Sequence, residues 1–308
     1  LTKSVRGEEI MHGKTLGHLT AMFTVILWGT TFISTKVLLT GFQPVEILFF
    51  RFVLGLAALT AACPKRIKGT TWRQELTFAA AGLCGVTLYF LAENMALTYT
   101  TASNVGVIVS AAPLFTAILA RFVWKDGERL DRSFFLGFVV AMAGLSLISF
   151  SGAAMQLNPM GDLLALSAGL IWGCYSNLTR VISGYGHPVL QTTRHIFFYG
   201  VLFMIPALFF MGFRWQPERF THPVYLLNLL FLGLGASAAC FASWNFAVGI
   251  LGAVKTSAYI YGAPVITVAA SALILHEPIT PAIAAGTMLT LAGLVLSQRR
   301  PGRKNNRG

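Results

Sequence analysis

The chain is poor in charge and poorest in acid. Of its 308 residues 11% are charged, with 11 Asp and Glu against 23 Lys and Arg, where a soluble domain carries about a quarter. So thin a supply cannot coat a globular surface, and composition excludes a soluble fold. Cysteine is scarce too: Cys63, Cys84, Cys174 and Cys240 show no paired metal spacing, and three of them fall in hydrophobic stretches, as packing thiols do. Missing as well are a His/Asp/Glu metal cluster, a nucleophile with its base and a Gly-rich phosphate loop. The connections are too short to build a soluble catalytic site. The sequence therefore reads as a non-enzyme that needs no metal and no cofactor.

What is present is apolar length. Hydrophobic residues make up 55% of the chain, and mean hydropathy is +0.68. Stretches of about 20 residues, enough for a helix across a ~30 Å hydrocarbon core, recur near residues 16–39, 43–62, 76–97, 102–121, 133–151, 160–182, 188–211, 226–248, 253–275 and 280–297. The expected fold is an all-α integral membrane protein of ten transmembrane helices. Its partner in the first instance is the lipid bilayer.

The net charge of +12 could suggest nucleic acid, but its placement argues against that. Counting Lys and Arg in alternate connections puts 18 on one side, including the tail Arg299, Arg300, Arg303, Lys304 and Arg307, and only Lys36, Arg214 and Arg219 on the other. This asymmetry is the positive-inside pattern, which predicts cytoplasmic termini. The polar start is expected to be retained, because the first span is too long for a signal-peptide core, and Met11 is a candidate natural start.

The spans fall into two copies of a five-helix unit. Ile26-Leu27-Trp28-Gly29 is answered 144 residues on by Leu170-Ile171-Trp172-Gly173, as is Pro44-Val45 by Pro188-Val189. At an offset of 151, Asn94 matches Asn245 and Ala112-Pro113 matches Ala263-Pro264. At 149, Glu128 matches Glu277, Gly137 matches Gly286, and Ala143-Gly144-Leu145 matches Ala292-Gly293-Leu294. Units with an odd number of spans insert in opposite senses, giving an inverted-topology repeat around a central cavity. The expected organisation is a cytoplasmic segment 1–15, repeats 16–151 and 160–297, an external linker 152–159 and a basic cytoplasmic tail 298–308.

Polar and aromatic groups at membrane depth are the candidate pathway residues, because charge there usually faces a cavity. Glu93 is the most pointed, with Tyr89 one turn earlier on the same face. It reads as an amine partner or proton site, or else as half of a structural ion pair near the outer surface. Arg51, Arg194 and His195 are the other ionisable groups inside spans. Either arginine could fork onto a carboxylate or hold backbone carbonyls, and His195 could titrate or simply pack. Trp28, Trp172, Tyr175, Tyr259 and Tyr261 sit at intermediate depth and line a cavity or pack helices, while Asn94 and Asn245 read as pathway groups or interhelical glue. Pro113 and Pro264 are hinges or static kinks. The repeat breaks at Glu93 opposite Trp244, and at Ile108 and Ser110 opposite Tyr259 and Tyr261. Lys36 and Arg180 are expected to snorkel, and Ala102, Gly106 and Ser110 to pack a helix closely.

These marks resemble the drug/metabolite transporter superfamily and its ten-helix carriers built from two EamA-type units. The resemblance rests on Trp28-Gly29 with Trp172-Gly173, Pro44 with Arg51, the run Ala96-Leu97-Thr98-Tyr99-Thr100, Pro113 followed by Glu128, and Ala247, Pro264 and Glu277. Within that group the chain looks most like the YddG-type bacterial exporters of aromatic and other neutral amino acids. The resemblance implies a secondary transporter of the bacterial cytoplasmic (inner) membrane that exports such amino acids by alternating access. Protons, through Glu93 or His195, are the candidate coupling partner, with passive export driven by high internal substrate as the alternative, and no oligomeric state is implied. The alternatives are export of another small metabolite or a hydrophobic cation and, from a different class, a channel or membrane enzyme.

Overall fold

A computed structural model of the chain describes residues 2–99, 105, 108–123, 132–150, 158–274 and 280–298. Glu128, Glu277, Ala102, Gly106, residues 152–157 of the linker and residues 299–308 of the basic tail lie outside the described residues, as does the side chain of Lys36. The described part is helical throughout, without strands. Its α-helices are α1 (Thr2–Leu38), α2 (Pro44–Ala62), α3 (Trp72–Gly82), α4 (Tyr89–Tyr99), α5 (Ala112–Val123), α6 (Arg132–Phe150), α7 (Pro159–Ser183), α8 (Val189–Phe210), α9 (Pro223–Leu230), α10 (Cys240–Leu251), α11 (Ala253–Ala258), α12 (Gly262–Ile274) and α13 (Pro281–Gln298).

The helix starts follow local chemistry. Pro44 occupies the first turn of α2, where its missing N–H costs nothing, and Gln43 with Glu46 forms a capping box. Thr71 and Gln74 do the same for α3, and Asn158 caps α7 through Met160 and Gly161. By length and composition four described helical runs can cross a membrane: Pro44–Ala62, Trp72–Ala96, Val189–Phe210 and Pro223–Leu251. Shorter apolar helices cover Ala112–Val123, Arg132–Leu147 and Pro281–Ser297. The runs from Trp72 and Pro223 start earlier than hydrophobicity suggests, the first because a polar turn capped by Thr71 adds helix outside the apolar stretch, the second with Pro223 in its first turn and no side-chain cap.

Both of those runs change winding midway. Leu83–Leu88 between α3 and α4, and Phe231–Ala239 between α9 and α10, are π-helical, a rare form that gathers at functional sites. Two other apolar stretches are interrupted. A turn at Ser110–Ala111 precedes Pro113, and a 3₁₀ turn at Tyr259–Tyr261 precedes Pro264, each just where proline withdraws its hydrogen bond.

Packing pairs distant parts of the chain. α6 runs against α13 with backbone nearly touching backbone: a Cβ on Gly144 would stand 2.5 Å from the Gly286 carbonyl oxygen, and one on Gly293 2.4 Å from the Ala141 amide nitrogen. Only glycine allows that approach, and close backbone packing is what holds helices together where lipid gives no hydrophobic drive. The other main pairings come in couples: α1 with α10 and α7 with α4, α1 with α12 and α7 with α5, α2 with the second π segment and α8 with the first.

At one end of the molecule Glu46, fully buried, accepts from Arg219 Nη1 at 2.6 Å and from the Arg214 amide at 2.8 Å. Arg219 also donates to the Gly41 carbonyl and lies over the Phe42 ring, 4.7 Å from its centre. Phe50, Phe213 and Phe220 pack beside it. At the opposite end Arg194 donates to the carbonyls of Cys63 and Lys65, holding the connection that follows α2.

Candidate functional site

The centre of the bundle is an aromatic cluster built by the repeated Trp-Gly pair. Gly29 lies where a Cβ would meet Ile266 at 2.7 Å and the Ala263 carbonyl at 2.9 Å, and a Cβ on Gly173 would stand 3.0 Å from the Thr116 amide nitrogen. Each glycine thus lets its helix press on the proline-bearing helix beside it, and the tryptophan before it turns inward. Trp28 and Trp172 meet edge to face at 5.3 Å, and Trp244 stands 5.1 Å from Trp28 and 5.9 Å from Trp172. Tyr89 and Tyr175 flank Trp172 at 4.9 and 5.1 Å, and Phe241 closes the group.

Hydrogen bonding in the cluster is uneven. The Trp28 indole donates to the Ala236 carbonyl at 2.9 Å, inside the second π segment. Among the described residues the indole N–H groups of Trp172 and Trp244 have no partner, though the residues are 4% and 0% exposed. Buried polar groups are nearly always paired, so two open donors at one centre ask for a ligand or water.

Two opposite charges border the rings. Arg51, 6% exposed, donates through Nε to Ser237 Oγ at 2.9 Å, again in the second π segment, with its guanidinium 4.9 Å from the Phe90 ring centre. Glu93, one turn on from Tyr89 in α4, brings a carboxylate to the same border. Glu93 remains half-buried. Aromatic walls, a guanidinium, a carboxylate and free indole donors can together receive a zwitterion with an apolar body.

The remaining candidates fall elsewhere. Asn245 accepts from the Tyr175 hydroxyl at 2.8 Å and donates to Thr193 at 3.0 Å, tying α7, α10 and α8 together at the edge of the cluster. His195 sits 2.8 Å from Glu75, which also accepts from Tyr199 and Thr70, each at 2.6 Å. That network lies between α3 and α8, away from Trp28. Tyr259 bonds His18 at 2.6 Å. Tyr261 is buried against Ala141 and Leu145 of the α6–α13 seam, so its ring does not join the aromatic centre. Ser110 is buried at the break before Pro113, and Asn94 is half-buried beside Glu93. Arg180 donates to the Gly249 carbonyl at 2.5 Å, a carbonyl partner in place of the expected snorkelling.

Sequence reasoning missed Glu75, Ser237, the Glu46–Arg219 pair and both π segments. One trace was there: Gly82-Leu83 and Gly233-Leu234 stand 151 apart, the offset of the asparagines.

The membrane-length apolar helices and the family to which the chain belongs make it an integral membrane transporter, not an enzyme. The chain belongs to the EamA-like transporter family, which matches residues 15–150 and again residues 159–298. It is 28% identical over 299 residues to an uncharacterized transporter of Archaeoglobus fulgidus, covering 93% of this chain and 98% of that one. It is 26% identical over 282 residues to a protein of Streptantibioticus cattleyicolor named a probable terminal-alkyne amino-acid exporter, covering 91% and 92%. A protein of known crystal structure shares the fold, with a TM-score of 0.74 at 20% identity over 92% of this chain and 96% of that one.

Proposed function

We propose that the protein exports neutral amino acids, aromatic ones included, across the bacterial cytoplasmic membrane by alternating access. The observation that carries this reading is the aromatic cluster of Trp28, Trp172 and Trp244, with two indole donors that have no partner among the described residues, bordered by the Arg51 guanidinium over Phe90 and by Glu93 one turn from Tyr89. The guanidinium suits the substrate carboxylate and the carboxylate suits its ammonium, while the rings hold the side chain. The amino-acid exporter among its relatives supports the same substrate class.

The architecture belonging to this reading is ten helices in two inverted repeats, 16–151 and 160–297, joined by the external linker 152–159. The segment 1–15 and the tail 298–308 are cytoplasmic. The double family match and the coupled helix pairings support it, and the alternating Lys and Arg count supports the orientation. The interruptions before Pro113 and Pro264 act as the hinges.

Purified protein in liposomes should carry labelled phenylalanine and leucine saturably; no saturable flux across a panel of aliphatic and aromatic amino acids sinks the proposal. Protons are the coupling ion in this reading, with Glu93 as carrier. Flux through Glu93→Gln should then lose its response to an imposed pH gradient. An unchanged response with intact flux removes Glu93 from that role.

A further inference from the structure

The connection between α2 and α3 carries Lys65, Arg66 and Lys68, and Arg73 follows in the first turn of α3, so four cations fall within residues 65–73. All four are exposed. The one acid from Cys63 to Gly82 is Glu75, and its carboxylate is engaged by His195, Tyr199 and Thr70. The positive charge of this edge therefore has no free acid on its own segment to offset it.

The segment is also held in place. Arg194, buried on α8, donates to the Cys63 and Lys65 carbonyls. Ile67 packs inward against the main core cluster while its neighbours Arg66 and Lys68 stay outside, and Gly69 turns the chain with a φ of 74°. Thr70 then bonds Glu75 at 2.6 Å, and Thr71 caps α3. Side chains on a pinned backbone lose less conformational freedom on meeting a ligand than those on a free loop. Setting the orientation of a membrane chain needs only the charges and none of this bracing. Beside the cations stands an apolar pair: Trp72 and Leu76, one turn apart on α3, are 74% and 51% exposed. Trp72 begins a helical run of membrane length, and an exposed indole at the end of such a run sits at headgroup depth.

We propose that this edge is a binding site for an anionic phospholipid. Arg66 and Lys68 take the headgroup phosphate, with Lys65 and Arg73 beside it, and the acyl chain lies along Trp72 and Leu76. A soluble polyanion would match the cations but leave the indole and the leucine without a partner. Because Arg194 ties the same connection to α8, a lipid seated here braces the ends of α2, α3 and α8 together. The site depends on the chain lying in a bilayer and not on what it carries.

The test is quenching of tryptophan fluorescence by lipids brominated along their acyl chains, in phosphatidylcholine liposomes holding the full chain. Brominated phosphatidylglycerol should quench more than brominated phosphatidylcholine at equal mole fraction. That surplus should vanish in Trp72→Phe and persist in Trp215→Phe, whose indole is exposed at the opposite end beside Phe50. Arg66→Gln with Lys68→Gln, both on exposed side chains, should raise the mole fraction of phosphatidylglycerol that gives half the surplus, roughly fivefold for each cation removed. Arg300→Gln with Arg303→Gln takes the same charge from the tail and should leave that mole fraction unchanged. No surplus, or a surplus that survives Trp72→Phe, overturns the proposal. So does an equal shift in the two double variants, which would reduce the effect to diffuse attraction by net charge. Inorganic phosphate, compared with chloride at matched ionic strength, should leave the surplus in place; its loss would make this a site for a soluble phosphate and overturn the lipid assignment.

Discussion

The α6–α13 seam and the Trp28 cluster are both made where residues of the first half of the chain meet residues of the second, yet they are built on opposite rules. Along the seam, like meets like. Gly144 faces Gly286 and Gly293 faces Gly137, and these are the same positions that match at an offset of 149. In the centre the echo fails. Trp28 has a carbonyl for its indole, whereas Trp172 has none among the described residues; Tyr175 lies over Gly85, where a Cβ would come within 2.2 Å of its ring. Glu93 corresponds to Trp244, and Arg51 has no arginine opposite it. A contact that only holds helices together can be the same twice; a pocket for an unsymmetrical molecule cannot.

Four experiments bear on that contrast. The largest effect is expected at the seam, where Gly144→Val puts methyl groups into the Gly286 backbone. Overpacking of this kind costs about 3 kcal/mol or more, and gel filtration in detergent should show loss of monodisperse protein. In the centre the same chemistry should be tolerated structurally and felt functionally. Arg51→Lys keeps the charge and loses the fork, and with one charge-assisted hydrogen bond worth about 1.5–3 kcal/mol the flux should fall roughly 10- to 100-fold with the melting temperature nearly held. A fold that collapses in this variant would make Arg51 a scaffold residue.

Next comes the unequal tryptophan pair. Trp28→Phe removes a made hydrogen bond and should destabilise by about 1 kcal/mol, while Trp172→Phe removes an unpartnered donor and should leave stability nearly unchanged, or raise it, while weakening substrate affinity. Equal thermal shifts in the two would erase the contrast. The smallest effect belongs to His195→Gln. His195 is engaged with Glu75 between α3 and α8, so flux should change less than about twofold, an amount typical of a surface-type substitution; a large loss would move the pathway toward α8.

Much of the helical layout was legible because apolar length and a repeated Trp-Gly pair are one-dimensional signals. Tyr89 and Glu93 adjoin, as a four-residue spacing on a helix requires. The position of His195 was not legible, since its partner Glu75 sits 120 residues away on a polar turn. Depth along a helix says nothing of azimuth, and Tyr261 shows the consequence by turning into the seam. The π segments left no mark in hydrophobicity, because a residue added to an apolar stretch is still apolar. They nonetheless supply Ala236 and Ser237, the partners of Trp28 and Arg51.

The seam also sets an order of assembly. α6 is the last described helix before Asn158, and its glycine face fits α13, the last described helix of all. Until α13 is made, the glycine face of α6 around Gly137 and Gly144 lacks the backbone it fits. Packing of that face therefore waits on α13, and loss of residues 281–298 would strand a helix made much earlier.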